Sequence, residues 1–281
     1  MDKSSAGMIR VRRHGVAGPW VIALHGGPAA VGEAGPLARG LADTFRVLEP
    51  WQRGSGAGPL TVARHVADLH QVVTSLGEGV RPALVGHSWG AMLALAYAAA
   101  HPEAAGPLAL VGCGTFDIAS RQRIGVICDG RIGAELRRKL DAVQQMPDSA
   151  ERMKKMYELI RPLYHYDLVE EEDDTEAAAA PFDDRAHSET WNDMLRLQGQ
   201  GVYPAAFAAI ASPVILLHGA YDPHPGEMIR DSLKPYITQL EYQQWDRCGH
   251  NPWQERAVRD DFLATLRDWL LRHLCGSPTR R

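Results

Sequence analysis

Five apolar residues, Trp20-Val21-Ile22-Ala23-Leu24, stop abruptly at His25-Gly26-Gly27-Pro28. A short apolar run closed by glycine and proline reads as a strand buried on both faces and feeding a loop. Arg46-Val47-Leu48 predicts a second strand, which meets Glu49-Pro50 and the loop Gln52-Arg53-Gly54-Ser55-Gly56. Val62, Val66, Leu69, Val73 and Leu76 then recur at helical spacing, with Gly77 as the stop. Ala83-Leu84-Val85 predicts a third strand. The alanine-rich stretch 91–100 predicts a helix closed by His101-Pro102, and Leu108-Ala109-Leu110-Val111 predicts another strand.

Strand and helix in alternation predict an α/β fold. Its mostly parallel sheet carries helices on both faces, joined by right-handed crossovers. From about residue 115 that rhythm gives way to mixed charged helices over 134–145 and 151–160 and to an acidic run at 170–174. It returns at Pro213-Val214-Ile215-Leu216-Leu217-His218 and at Leu240-Glu241-Tyr242. An amphipathic helix carrying Val258, Phe262, Leu266, Trp269 and Leu270 ends the pattern. The expected organisation is one core in two parts, residues 1–114 and 205–281, with residues 115–204 inserted as a helical cap.

Composition changes this picture little. An apolar share of 45% and a charged share of 23% leave ample material for a core. The net charge of -4, with no basic block beyond Arg280-Arg281, supplies no footprint for nucleic acid. Residues 1–18 lack an apolar signal core, and no run approaches the ~20 apolar residues of a membrane span. A soluble, cytoplasmic protein without a membrane partner is expected, acting on a small-molecule or short-peptide substrate. Cys113, Cys128, Cys248 and Cys275 lack metal-site or disulfide-scaffold spacing and read as free thiols. Nothing in the pattern assigns an oligomeric state.

The chemistry begins at Gly86-His87-Ser88-Trp89-Gly90, between a predicted strand and a predicted helix. A serine on such a turn needs small neighbours two positions away, because any side chain there would meet backbone. The helix start then directs partial positive charge and the Trp89 N–H toward a developing oxyanion. A serine hydroxyl also needs a base, and His250 in Arg247-Cys248-Gly249-His250-Asn251-Pro252 follows the last predicted strand. Asp222, just beyond the strand ending at His218, completes the order Ser, Asp, His. Ser88 is thus the expected nucleophile, His250 the base and Asp222 the orienting acid, with Asp117 in reserve and Asp246 too close to His250 in sequence. Activity is expected to fall near pH 6 to 7, about the ordinary histidine pKa of 6.5. His218, Asp222 and His224 match no familiar metal spacing, so no metal is expected.

With those residues in view, the chain resembles the α/β-hydrolase superfamily, and within it the proline iminopeptidase branch. His25-Gly26-Gly27-Pro28 is similar to the HGGP oxyanion loop, residues 52–56 to QRGSG, and His87-Ser88-Trp89-Gly90 to the SWG form of the elbow. The resemblance implies an α/β-hydrolase fold. It also implies an oxyanion hole of the Gly27 and Trp89 N–H groups, loop support from His25 and Gly26, and no cofactor.

Departures stand at Trp51, where the branch has aspartate, at Ala29, where it has glycine, and at His87, which is more typical of esterases and carbon–carbon bond hydrolases. In the cap, Trp191-Asn192-Asp193 is the nearest approach to the family's pattern for holding a free N-terminus. Tyr164, Tyr166, Phe182, Trp191 and Tyr203 are candidates to line a pocket or simply to fill the cap core. The expected reaction is hydrolysis of an ester or amide through an acyl-enzyme. Carboxylester or diketone hydrolysis by the same triad is the alternative, and a non-catalytic ligand-binding protein the further one.

Overall fold

The computed structural model describes residues 9–147, 149–169 and 182–275. The acidic run and Arg280-Arg281 lie outside them. In chain order the elements are β1 (Val11–His14), β2 (Trp20–Leu24), α1 (Gly35–Leu41), β3 (Arg46–Pro50), α2 (Val62–Thr74), β4 (Ala83–His87), α3 (Trp89–Ala100) and β5 (Leu108–Val111). Then follow α4 (Ile118–Arg131), α5 (Ala134–Gln144), α6 (Ser149–Tyr164), α7 (Asp184–Gly199), β6 (Val214–Gly219), α8 (Gly226–Leu233), β7 (Leu240–Trp245) and α9 (Arg259–Leu274).

The strands form one sheet in the order β1-β3-β2-β4-β5-β6-β7, and only the β1–β3 pair is antiparallel. Each central strand carries an apolar run because it is covered twice. Ile22, Leu24, Leu84, Leu108, Leu110, Val214 and Leu216 face one core with α2, α3 and α8. Val21, Ala23, Val85, Ala109, Val111, Ile215 and Leu217 face the other with α1 and α9. Side chains alternate across a strand, so both cores are fed by the same short runs. Each fully buried leucine or valine contributes roughly 1.5–3 kcal/mol. Helix α3 is buried from Trp89 to Ala98, which explains why its sequence carries no polar face.

Strand β1 has no counterpart in the apolar pattern, since it reads Val-Arg-Arg-His. It is an edge strand held by charge. The Arg12 guanidinium bonds both oxygens of the fully buried Glu49 at 2.7 and 2.9 Å, and His14 Nε2 lies 2.8 Å from that carboxylate. Arg10 and Arg12 also lie over the Trp51 ring, 4.3 and 5.1 Å from its centroid.

Between β5 and β6 the described chain is helical and is tied to the core by α7. Leu60 N–H donates to Glu189 (2.8 Å), Val62 N–H to Asp193 (2.9 Å) and Ser55 N–H to Asp183 (2.7 Å), so acidic side chains of this segment serve the open N-terminal end of α2 and the loop before it. No helix among the described residues is long and apolar enough to cross a membrane. All four cysteines are free.

Candidate active site

Strand β4 runs into α3 through Ser88, whose backbone sits at φ 52, ψ -115. A positive φ at a residue with a side chain stores roughly 1–3 kcal/mol of strain, a feature that clusters at functional sites. The turn is also tight. A Cβ on Gly86 would lie 2.3 Å from Gly90 O, and one on Gly90 would lie 2.3 Å from Leu24 O. Ser88 N–H donates to Val111 O (2.8 Å), which fixes the turn against the end of β5.

Asp222 and His250 come from the loops after β6 and β7, neighbouring strands in the sheet. His250 Nδ1–H donates to Asp222 Oδ2 at 2.6 Å, leaving Nε2 as the ring's accepting nitrogen. Burial lowers the His250 pKa to about 3 despite the raising effect of Asp222, with His87 lowering it further. These surroundings favour the neutral ring. Burial alone would raise Asp222. The His250, His224 and His218 imidazoles outweigh it and hold the carboxyl well below its usual range.

The sequence reading missed His224 as a partner of this acid. Its backbone N–H and its ring Nδ1 both lie 2.9 Å from Asp222 Oδ1, and its ring stacks on that of His250 with centroids 4.7 Å apart and planes 18° apart. The ligating atoms of Asp222, His224 and His250 fall within 4.8 Å of one another, the one such grouping among the described residues. Both Nδ1 atoms are engaged by the two oxygens of that carboxylate, an arrangement of two N–H donors on one acid. His218 Nε2–H donates to His224 O (2.8 Å), which leaves the backbone after Asp222 tied down.

The three motifs interlock through Gln52. Its backbone N–H donates to His25 Nε2 (3.0 Å), its side-chain amide donates to His25 O (2.9 Å), and its Oε1 accepts from the Trp89 indole (2.7 Å). Because His25 Nε2 accepts, the ring proton sits on Nδ1 and donates to Gly26 O (2.9 Å). Burial lowers the His25 pKa, in keeping with that neutral tautomer.

Gly26 N–H donates to Glu33 Oε2 (3.1 Å). Gly27, at φ +109, and Trp89 have backbone N–H groups without a partner among the described hydrogen bonds. The Ser88 hydroxyl is likewise outside those bonds.

Other candidates are occupied elsewhere. Asp117 caps α4 through Ser120 N–H (2.8 Å), and Asp246 is exposed. Asp193 of the Trp191-Asn192-Asp193 triplet accepts from Val62 N–H and pairs with Arg196 (2.7 Å). Of the aromatics between β5 and β6, Tyr164 meets His250 edge-on at 5.8 Å, whereas Tyr203 stacks on Phe207 and Trp191 packs against the core. Buried Glu255 was also missed. It accepts from Gly249, Tyr166 and Asp167 N–H at 2.7–2.9 Å, and His250 N–H donates to Tyr164 O (2.8 Å), so the histidine loop is anchored to the end of α6.

Comparison with known proteins agrees with this architecture. The model of the alpha/beta hydrolase family matches residues 21–261. A proline iminopeptidase of Neisseria gonorrhoeae is 32% identical over 203 residues, 68% of this chain and 60% of the relative, so the match spans less than two thirds of the relative's length. Among solved structures, a proline iminopeptidase of Mycobacterium smegmatis superposes with a TM-score of 0.66 at 18% identity, covering 95% of this chain and 96% of that one. A serine hydrolase involved in carbazole degradation, the CarC enzyme, gives 0.65 at 18% identity, covering 93% and 94%. From the extent of the family match and the sheet that carries it, the chain belongs to the alpha/beta hydrolase family.

Proposed function

We propose that the protein is a serine hydrolase that cleaves an ester or amide bond of a small substrate through an acyl-enzyme. The observations that support this reading are the strained Ser88 turn, the unpartnered backbone N–H groups of Gly27 and Trp89, and the Asp222–His250 hydrogen bond. In the proposed reaction Ser88 Oγ attacks the carbonyl carbon while His250 Nε2 takes its proton. The carbonyl oxygen becomes an anion received by the Gly27 and Trp89 N–H groups. One such donor is worth roughly 2.7–4 kcal/mol of barrier. The imidazolium then returns the proton to the leaving group, and water repeats the sequence on the acyl-enzyme. Asp222 orients the ring and balances its transient charge.

Kinship with proline iminopeptidases supports an aminopeptidase-like substrate. A second reading, hydrolysis of a neutral acyl ester or a diketone, is favoured by His87 and by the helix α7 segment. There Asp183, Glu189 and Asp193 are each engaged by core N–H groups rather than open to a substrate ammonium. Free thiols suit a cytoplasmic setting.

The test is labelling by a fluorophosphonate probe, followed by turnover of a p-nitrophenyl ester and of prolyl-naphthylamide. Single labelling that disappears in Ser88→Ala is expected, and labelling that persists in that variant refutes the assignment. Cleavage of the amide selects the iminopeptidase reading, and rapid ester turnover without it selects the other.

A further inference from the structure

Glu33 lies on the loop between the oxyanion segment and α1, and its carboxylate touches all three catalytic loops. Oε2 accepts from Gly26 N–H, the residue before Gly27 (3.1 Å). Oε1 accepts from Asn251 Nδ2, the residue after His250 (3.1 Å), and lies 2.8 Å from Nδ1 of His87, the residue before Ser88. The His87 ring is buried, 4% exposed, with the Trp253 ring edge-on at 4.7 Å and the His250 ring at 4.6 Å. Its Nε2 faces His250 O at 3.0 Å, which requires a proton there.

The opposite nitrogen faces a carboxylate, off the line of an aligned hydrogen bond, a contact that is an ion pair when the ring carries both protons. A proton on each nitrogen would satisfy both neighbours and make the pair electroneutral. Burial would raise the Glu33 carboxyl, but His87 and the Gly26 N–H outweigh it and hold it at about 2, which keeps the negative charge on Glu33.

That charge stands beside the amides meant to receive a negative oxygen, where it opposes the reaction unless cancelled.

We propose that Glu33 and His87 form one positioning unit, in which Glu33 fastens the oxyanion loop to the histidine loop and His87 neutralises the charge that this fastening brings to the oxyanion hole. The inference rests on the serine hydrolase reading. It predicts that losing His87 alone is worse than losing both partners.

The experiment is a double-mutant cycle of wild type, Glu33→Gln, His87→Asn and the double variant. It is read by kcat/KM on p-nitrophenyl acetate, by affinity for phenylboronic acid as a tetrahedral anion, and by urea midpoint. His87→Asn is expected to lower kcat/KM by at least about tenfold and to weaken boronate binding in step. Adding Glu33→Gln should then restore several-fold of both, with no matching recovery of the urea midpoint. Multiplicative losses, or a double variant slower than His87→Asn, overturn the proposal, as does a recovery that only tracks stability. Failure of the fluorophosphonate probe to label wild type refutes the hydrolase reading instead.

Discussion

His65 offers a direct measure of how far the buried interior resists protonation. It sits on α2 at 3% exposure, with Nε2 2.9 Å from Thr190 Oγ1 of α7 and its ring edge-on to Trp89 at 5.9 Å. Burial lowers its pKa to about 4, against the raising effect of Asp68 and with smaller lowering from His25, Arg53 and Arg64. The unfolded chain binds its proton near the ordinary value of about 6.5. Stability from neutral His65 is therefore complete above pH 6.5, is lost as pH falls toward 4, and falls no further below that. At pH 5 the unfolded ring is almost fully protonated and the native ring about one-tenth so, which amounts to a loss of about 2 kcal/mol relative to pH 7.5.

His65→Gln removes the titration while leaving an amide that can reach Thr190. Urea unfolding followed by tryptophan fluorescence at pH 7.5 and pH 5 should show the pH-dependent loss reduced by about 2 kcal/mol in the variant, whatever its stability at pH 7.5. An identical loss in both proteins would refute the argument that burial holds His65 neutral. His165 and His250, lowered by burial to about 4 and about 3, act with the same sign, so wild type should weaken steeply below pH 6.5.

Other consequences follow from the close approaches at the site. Gly90→Ala should destabilise the protein by about 3 kcal/mol or more and abolish turnover, because its Cβ would enter the Leu24 carbonyl; chemical denaturation and ester assay check this. Gln52→Leu should cost roughly 2–4 kcal/mol by stranding the Trp89 indole N–H and His25 O, and it should lower kcat more than it raises KM. Ala29→Gly should be neutral or stabilising by up to about 1 kcal/mol, since Ala29 sits at φ 73; a lowered urea midpoint would contradict the strain. His224→Ala should reduce kcat with fluorophosphonate labelling slowed but not lost, as Asp222 keeps His250 and loses only its second imidazole.

The central strands were legible because each is a self-contained signal: an apolar run doubly covered, ended by glycine or proline. Trp20–Leu24 and Leu108–Val111 have the bounds the pattern gave them. Asp222 and His250 were named from their places after strands, and the sheet order brings those two loops together. Strand β1 escaped because its side chains are held by polar contacts with Glu49, 35 to 37 residues away, and not by its own apolar content. Glu33 and Glu255, and the roles of His224 and Gln52, escaped for a related reason. A polar residue in a loop looks the same in sequence whether it faces water or closes a buried network.

Local periodicity and turn chemistry, written in neighbouring residues, thus determined the run of strands and helices and the order of the chemical groups along it. Tertiary structure alone decided which charges meet, and burial together with those meetings decided how they titrate. Glu33 and Asn251 stand 218 residues apart, and no local pattern encodes a contact created by the crossing order of a sheet. The low pKa of His250 has the same origin, since desolvation belongs to the assembled surroundings and not to the residue.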